Sequence, residues 1–469
     1  MTNNRMFRTL LFIVVAFTAK SADCDEPTKP NILFILADDL GKEWVSCYGS
    51  TSIETPHIDR LAATGMKFEN FYSMPQCTPT RATLLTGQYP FRTGWINHWD
   101  VPRWGVGCHF DPNHYYTFAR ILKSVGYKTC IAGKWQINDF RVQPNVLSEH
   151  GFDEFCMWTG YEGMNPPSAE RYWDPYIFTK NGSRTESGRF GEDVFCDFIV
   201  DFLKQDTESP KCIYYPMCLP HGPLTTTPAE PNVTGRDRFS AMVRYVDSTL
   251  GRLVEELEKA NLRESTIIFW TTDNGTSRGI VGDLNGHKVK GAKGQTNEPG
   301  VCQPMIVNCP GIVPQGTTTK ALADLTDILP TFSELAGAEV PKDLEIDGKS
   351  FAKLILGKSD DSQRDWIMAM GGQPGTIGEN GRVRPVFDYR DRVIRDKVFK
   401  LYVGTDRTAQ KLFNLLNDPF EKTNLISSNQ PDVTSAKERL MKVVNNFPKI
   451  DAHPKYDATP AQPWDKKGN

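Results

Sequence analysis

Asn31 to Ala37 is a continuous apolar run of strand length, and it stops at Asp38-Asp39. Thr266 to Thr272 repeats the pattern and stops at Asp273-Asn274-Gly275. Runs without polar alternation suit strands covered on both faces, as in a parallel sheet. In open α/β sheets, functional groups collect at the carboxyl ends of strands. Two adjacent carboxylates at such an end repel each other and are costly to desolvate unless a cation pairs with them. From Asp38-Asp39 alone, a helix-capping pair reads equally well.

Two further strand-like runs end on suggestive residues. Tyr127 to Ala132 leads into Gly133-Lys134-Trp135-Gln136, where a surface lysine is the bland reading. Cys212 to Leu219 ends at Pro220-His221-Gly222-Pro223, where the bland reading is a turn histidine. Between the strands lie helical patterns. Pro56 to Gly65 has proline at its start and glycine at its stop. Phe190 to Leu203 is a second, and Tyr116 to Val125 a third. Arg236 to Ala260 is amphipathic, with Met242, Val246, Leu250, Leu253, Val254 and Leu257 at helical spacing. Residues 138–190, rich in Pro, Gly, Asn and aromatics, are expected to be long loops of the kind that line substrate sites.

The Met74–Gly87 stretch holds Cys77-Thr78-Pro79-Thr80-Arg81 ahead of a helix-like run containing Ala82, Leu84 and Leu85. Thr78 or Thr80 is expected to cap that helix. Cys77 then falls at a helix N-terminus, where backbone N–H groups and the dipole favour negative charge, and Arg81 lies one turn on. Alone, such a cysteine also reads as a small buried hydrophobe.

Together, C-x-P-x-R at Cys77–Arg81, the Asp38-Asp39 strand end and the Asp273-Asn274 strand end resemble the type I sulfatases of the alkaline phosphatase superfamily. The resemblance runs from about Pro30 into the C-terminal region, with the three motifs in family order. It implies a large mixed, mostly parallel α/β sheet flanked by helices, with a smaller C-terminal antiparallel subdomain. The expected division is a catalytic unit over 27–360 and an α+β unit over 361–469, after the chain turns polar near Gly357 to Asp365.

The resemblance also implies chemistry. A maturation enzyme oxidises the motif cysteine, here Cys77, to formylglycine. The aldehyde hydrates, one hydroxyl attacks sulfur, and the second hydroxyl loses its proton to expel sulfate. Arg81 supports the hydrate, Lys134 and Lys293 contact sulfate, and His221 protonates the departing oxygen or binds sulfate. Asp38, Asp39, Asp273 and Asn274, with position 77, are the expected metal ligands. Hard oxygen donors of this kind suit Ca²⁺, or less well Mg²⁺, and zinc would favour His and Cys. One departure is Gln136, which is also expected to line the substrate site. Many family members have His there as a base, and an amide cannot act as one near neutral pH. Gln303 likewise stands where an arginine is common.

Length and composition narrow the class. At 469 residues, a large domain plus a smaller one is expected. The net charge of −3, without a basic run, gives no reason to invoke nucleic acid. Met1 to about Ala22 reads as a secretory signal: Arg5 and Arg8 precede a short apolar core over Leu10–Phe17. Export to the periplasm or outside the cell is therefore expected, with no span in the mature chain. The eleven cysteines include no C-x-x-C pair, and export would permit disulfides whose pairing sequence does not give. Asn181, Asn232 and Asn274 head glycosylation sequons, but an Asn274 that binds metal could not carry a glycan. The expected function is hydrolysis of sulfate esters on a sulfated carbohydrate. The alternatives are a phosphate or phosphonate ester hydrolase on the same site, or a sulfate-binding homologue without turnover.

Overall fold

The computed structural model describes residues 29–97, 107–160, 169–205, 208–372, 376–378, 383–384, 386–460 and 462–463. The expected signal over 1–22 and Cys24 lie outside these residues.

Among the described residues, twelve strands come from the first three-quarters of the chain. They are β1 (Asn31–Ala37), β2 (Met66–Tyr72), β3 (Lys128–Lys134), β4 (Glu154–Trp158), β5 (Tyr176–Thr179), β6 (Gly182–Thr185), β7 (Lys211–Pro216), β8 (Thr266–Thr272), β9 (Val281–Leu284), β10 (His287–Lys290), β11 (Cys302–Asn308) and β12 (Thr317–Asp324). Ten of them form one sheet in the order β12-β2-β11-β8-β1-β7-β3-β4-β5-β6. The central neighbours β8, β1, β7, β3 and β4 are all parallel. Reversed strands, β11 on one side and β5 on the other, interrupt the pattern outward. β9 and β10 form a separate hairpin.

The unbroken apolar runs are explained by the two layers they touch. Ile32, Phe34 and Leu36 of β1 pack on one face, in a cluster with Phe118, Phe269, Phe332 and Leu329. Leu33, Ile35 and Ala37 pack on the other, with Phe195, Ile199, Val246, Leu250 and Leu253. Helices Phe118–Ser124 and Ile328–Leu335 cover the first face, and Gly191–Leu203 and Asp237–Lys259 cover the second. Each large apolar side chain so buried is worth about 1.5–3 kcal/mol, so β1 anchors both layers.

A second, antiparallel sheet joins β13 (Ile367–Met370), β16 (Arg392–Arg395), β17 (Phe399–Val403) and β18 (Ala409–Asn414), while β14 (Thr376–Ile377) and β15 (Val383–Arg384) pair as a short ribbon. Helix Pro431–Asn445 lays Val433, Ala436, Leu440 and Val444 into its core, which also takes Met74, Tyr89, Phe91 and Ile96 from the Cys77 region. No helix among the described residues is long and apolar enough to cross a membrane.

Three expectations need correcting. Residues 138–190 are not only loops: they hold helix Val146–Glu149 and strands β4, β5 and β6. These elements are four or five residues long, too short to show a period. The Lys290–Gly300 stretch, whose lysines and glycines read from sequence as a flexible basic loop, is tied down. Lys293 N donates to Thr276 O at 3.0 Å and Gly294 N to Pro75 O at 2.7 Å. Helix Cys77–Thr86 starts from Gln76 with no side-chain cap there. The Thr80 hydroxyl points instead to the carbonyls of Met74 (3.1 Å) and Asp273 (2.8 Å).

Candidate active site

Parallel neighbours put like ends together. β8, β1, β7 and β3 therefore deliver Asp273-Asn274, Asp38-Asp39, the His221 turn and Lys134 to one edge of the sheet. Helix Cys77–Thr86 begins at the same edge, with Cys77 fully buried. Its Sγ lies 3.5 Å from Asp38 Oδ1 and 3.5 Å from Lys293 Nζ. Asp38, Asp39, Cys77 and His221 offer ligand atoms that all lie within 4.8 Å of one another.

Each acid is held differently. Asp38 Oδ2 accepts from Arg81 Nη2 at 3.3 Å and pairs closely with the buried ammonium of Lys134. Arg81 also reaches Asp273 Oδ2 at 3.4 Å and donates to the Lys134 carbonyl at 2.7 Å. Asp273 Oδ1 accepts from Asp39 N at 3.0 Å, which holds Asp39 in a left-handed conformation at φ 64°. Asp39 takes Asn274 Nδ2 at 2.8 Å, Ser277 Oγ at 2.8 Å and Lys293 Nζ at 2.6 Å. Asn274 therefore spends its amide hydrogens on Asp39 and on Gly275 O, while its Oδ1 is buried with no hydrogen-bond partner among the described residues.

His221 Nε2 stands 3.7 Å from Asp39 Oδ2. Its Nδ1 is 2.6 Å from Gly222 O and 3.2 Å from Arg171 Nη1. The Arg171 guanidinium lies over the Trp158 ring, 4.0 Å from the centroid. Gly133 is required where β3 passes β7: its φ is +119°, and a Cβ there would sit 2.0 Å from Pro216 O.

Burial penalises every charge in this pocket, so the pairings decide the protonation states. For Asp38, burial is outweighed by Lys134, His221, Arg81 and Lys293, and its carboxyl is held well below the usual range. Asp273 goes the other way. Burial and the neighbouring Asp38 charge raise it to about 7. Burial and the Lys134 ammonium push His221 down to about 3, which keeps the ring neutral at ordinary pH. Burial raises the Cys77 thiol, so it is no thiolate nucleophile as it stands.

Gln136 is buried at φ 68° with its Oε1 lacking a partner among the described residues. Gln303 accepts from Thr272 Oγ1 at 3.1 Å and donates to Gly300 O at 3.0 Å, so that position is filled by a satisfied amide. Sequence reasoning missed Ser277, Arg171 and Glu192. Glu192 Oε1 accepts from Cys218 N at 2.7 Å and Leu219 N at 2.9 Å, at the start of the His221 turn. Its helix position, on an apolar face, was the only available signal.

Residues 30–338 match the Sulfatase family. The chain belongs to that family. Membership places it among sulfuric ester hydrolases. Residues 293–447 match a further family described as N-sulphoglucosamine sulphohydrolase, C-terminal. Among characterised sulfatases, the chain is 35% identical to the N-acetylgalactosamine-6-sulfatase of Sus scrofa over 70% of its own length and 66% of that enzyme's. It is 30% identical to arylsulfatase A of Bos taurus over 87% of its own length and 86% of that enzyme's. The crystal structure of Ps i-CgsB superposes with a TM-score of 0.75 at 28% identity, covering 91% of this chain and 94% of that one. The same protein has been crystallised in complex with k-i-k-neocarrahexaose. None of the ten described cysteines in this sulfatase forms a disulfide.

Proposed function

We propose that this sulfatase is exported and removes sulfate from a sulfated carbohydrate, with the oxidised side chain of Cys77 as nucleophile and a Ca²⁺ ion as electrophile. The observation that carries the reading is the position of residue 77, within 3.5 Å of both a strand-end carboxylate and the Lys293 ammonium. Relatives named for sulfated amino sugars and a neighbour crystallised with a carrageenan-type oligosaccharide support a carbohydrate substrate.

The donor set fits a hard divalent ion. Asp38, Asp39 and Asp273 supply anionic oxygens, and Asn274 Oδ1 is a buried acceptor lacking a donor, as a metal-facing carbonyl would be. When bound, the ion adds positive charge beside the sulfate oxygens and polarises the nucleophile. The aldehyde side chain at 77, once hydrated, supplies the attacking oxygen.

The chain's own residues do the rest. Lys134 and Lys293 flank position 77 and give the sulfate's non-bridging oxygens two ammonium partners. Arg81, fixed by Asp38, Asp273 and the Lys134 carbonyl, keeps the helix start and residue 77 in register. His221 faces Asp39 across the pocket, from where it meets the departing oxygen. Arg171 contacts that histidine, and Glu192 fixes the start of its turn through Cys218 N and Leu219 N. Three carboxylates balance Arg81, Lys134 and Lys293, so a divalent ion leaves the pocket net positive, which suits an anionic substrate.

The test is mass spectrometry of the peptide spanning Cys77, paired with sulfate release from a panel of sulfated glycans. The aldehyde mass together with sulfate release is expected after expression beside a formylglycine-generating enzyme. An aldehyde-bearing protein that binds these glycans but releases no sulfate would favour the non-catalytic alternative that Gln136 suggests.

A further inference from the structure

The rim of the pocket carries a cation that none of the steps above uses. Ser277 turns inward and gives its hydroxyl to Asp39 Oδ2 at 2.8 Å. The next residue, Arg278, is exposed. Its guanidinium is anchored on the lysine loop: Nε donates to Lys293 O at 2.8 Å and Nη2 to Gly294 O at 3.4 Å. We infer that Arg278 is a specificity-determining residue, which binds a second anionic group, carboxylate or sulfate, on the sugar next to the one being desulfated. The inference rests on the reading of the site as a glycan sulfatase and names the kind of glycan it takes.

Position favours this role. Lys293 holds Arg278 through its carbonyl and reaches position 77 through its ammonium, 3.5 Å from Cys77 Sγ. The anchor point of Arg278 is thus a lysine side chain's length from residue 77, the scale of a sugar ring. Charge favours it too. Arg81, Lys134 and Lys293 each pair with a carboxylate. Arg278 meets carbonyls instead, and among the described residues no carboxylate pairs with it and its Nη1 makes no bond. The two carbonyls fix the guanidinium without neutralising it. A planar fork so held suits two oxygens of a carboxylate or sulfate, and less side-chain freedom is lost on binding.

The floor beside it is open and polar. Gly294 has φ +79°, and a Cβ there would stand 2.9 Å from Arg278 Nη2 and 3.4 Å from Gln76 Nε2. The bare glycine therefore leaves room between the guanidinium and the amide of the residue preceding Cys77. Gln76 Oε1 is buried and has no hydrogen-bond partner among the described residues. An unmet buried acceptor is costly, and a sugar hydroxyl beside the acidic group would satisfy it.

The experiment compares sulfated disaccharides as substrates of the aldehyde-bearing enzyme. In one the neighbouring sugar is a uronic acid, in another it carries a second sulfate, and in the last it is neutral. Arg278→Ala is expected to raise KM about 10-fold for whichever acidic partner the enzyme reads, the loss of a charge-assisted contact. At saturation kcat is expected to hold, and the neutral substrate's KM to change little. Arg278→Lys, which keeps the charge and loses the fork, is expected to fall between. The uronate and disulfate arms tell which anion is bound. An equal loss on all the substrates would overturn the proposal, because Arg278 would then only brace the Lys293 loop. Unchanged KM on both acidic substrates would overturn it as well. Calorimetry with the same disaccharides on Cys77→Ala, with and without Arg278→Ala, repeats the comparison in the absence of turnover. Weaker binding of the acidic disaccharides by the double variant upholds the Arg278 site even where no sulfate is released. Equal binding by the two overturns it, while sulfate release by the parent would leave the glycan sulfatase reading standing.

Discussion

Glu192 offers a test of how this fold holds its histidine. The residue is fully buried in helix Gly191–Leu203. One oxygen accepts from Cys218 N and Leu219 N, and the other accepts from the Tyr215 hydroxyl at 2.5 Å. The same Leu219 gives its carbonyl to Asp38 N at 2.9 Å. One carboxyl thus ties the His221 turn to the acid strand. Burial raises that carboxyl from 4.5 to about 7, against the pull of its three hydrogen bonds.

The sign follows from proton counting. Between pH 4.5 and about 7 the folded chain keeps a proton on Glu192 that the unfolded chain has released. Stability from this group is therefore greatest on the acid side and falls as pH rises through that window. At about 1.4 kcal/mol per unit, the fall totals roughly 3 kcal/mol. Glu192→Gln removes the titration but keeps an oxygen for both amides, and its NH₂ donates to the Tyr215 oxygen. Urea unfolding at pH 5, 6, 7 and 8 on both proteins checks this. The glutamine variant is expected to gain on the parent as pH rises, by roughly 3 kcal/mol in all, and to keep its kcat. Glu192→Ala instead strands two buried amides, each costing about 1–3 kcal/mol, and is expected to lose stability at every pH. A parent-minus-glutamine difference that stays flat from pH 5 to 8 refutes burial as the cause.

Other outcomes can be checked on the same protein. Cys77→Ala is expected to abolish sulfate release while circular dichroism and melting stay near those of the parent, and residual turnover in that variant would remove the aldehyde mechanism. Chelation is expected to inhibit and Ca²⁺ to restore, whereas full activity with no ion found by elemental analysis would count against the metal. Asn274→Ala deletes the partnerless acceptor together with the amide's bonds to Asp39 and Gly275 O, so it is expected to cost Ca²⁺ affinity by calorimetry and also some apo stability in thermal melts. Gln136→His supplies a base where the amide stands. If expulsion of sulfate limits turnover, kcat rises by up to about 10²-fold, and an unchanged kcat locates the base elsewhere.

What could be read in the chain follows from what is local. Asp38-Asp39 and Asp273-Asn274 were legible because each closes an unbroken apolar run, and parallel neighbours must put such ends together. Lys134 and His221 followed the same logic more weakly. Lys293 was different. Its Gly- and Lys-rich surroundings carry no periodicity, and only the family resemblance singled it out. Its position is set by a bond to Thr276 O and by the next residue's bond to Pro75 O, from two distant segments. Ser277 and Glu192 were invisible for the same reason. Nothing within ten residues of Glu192 hints that its partners lie at 215, 218 and 219. The short strands β5 and β6 escaped because four residues each are too few to show a period.

The three acids also show why spelling and role diverge. All are buried carboxylates at strand ends, yet each answers to different partners. Asp38 is matched by Lys134 and Arg81 and stays ionised far below the usual range. Asp273 shares Arg81, gives its second oxygen to Asp39 N, and is left near 7 by burial and by Asp38. Grouping three such charges is costly in a low-dielectric pocket, and a raised Asp273 is where that cost surfaces. A divalent ion among them would bring Asp273 back into the ordinary carboxylate range and give Asn274 Oδ1 its missing partner. If the proposed Ca²⁺ binds there, its binding below pH 7 is expected to release a proton from Asp273.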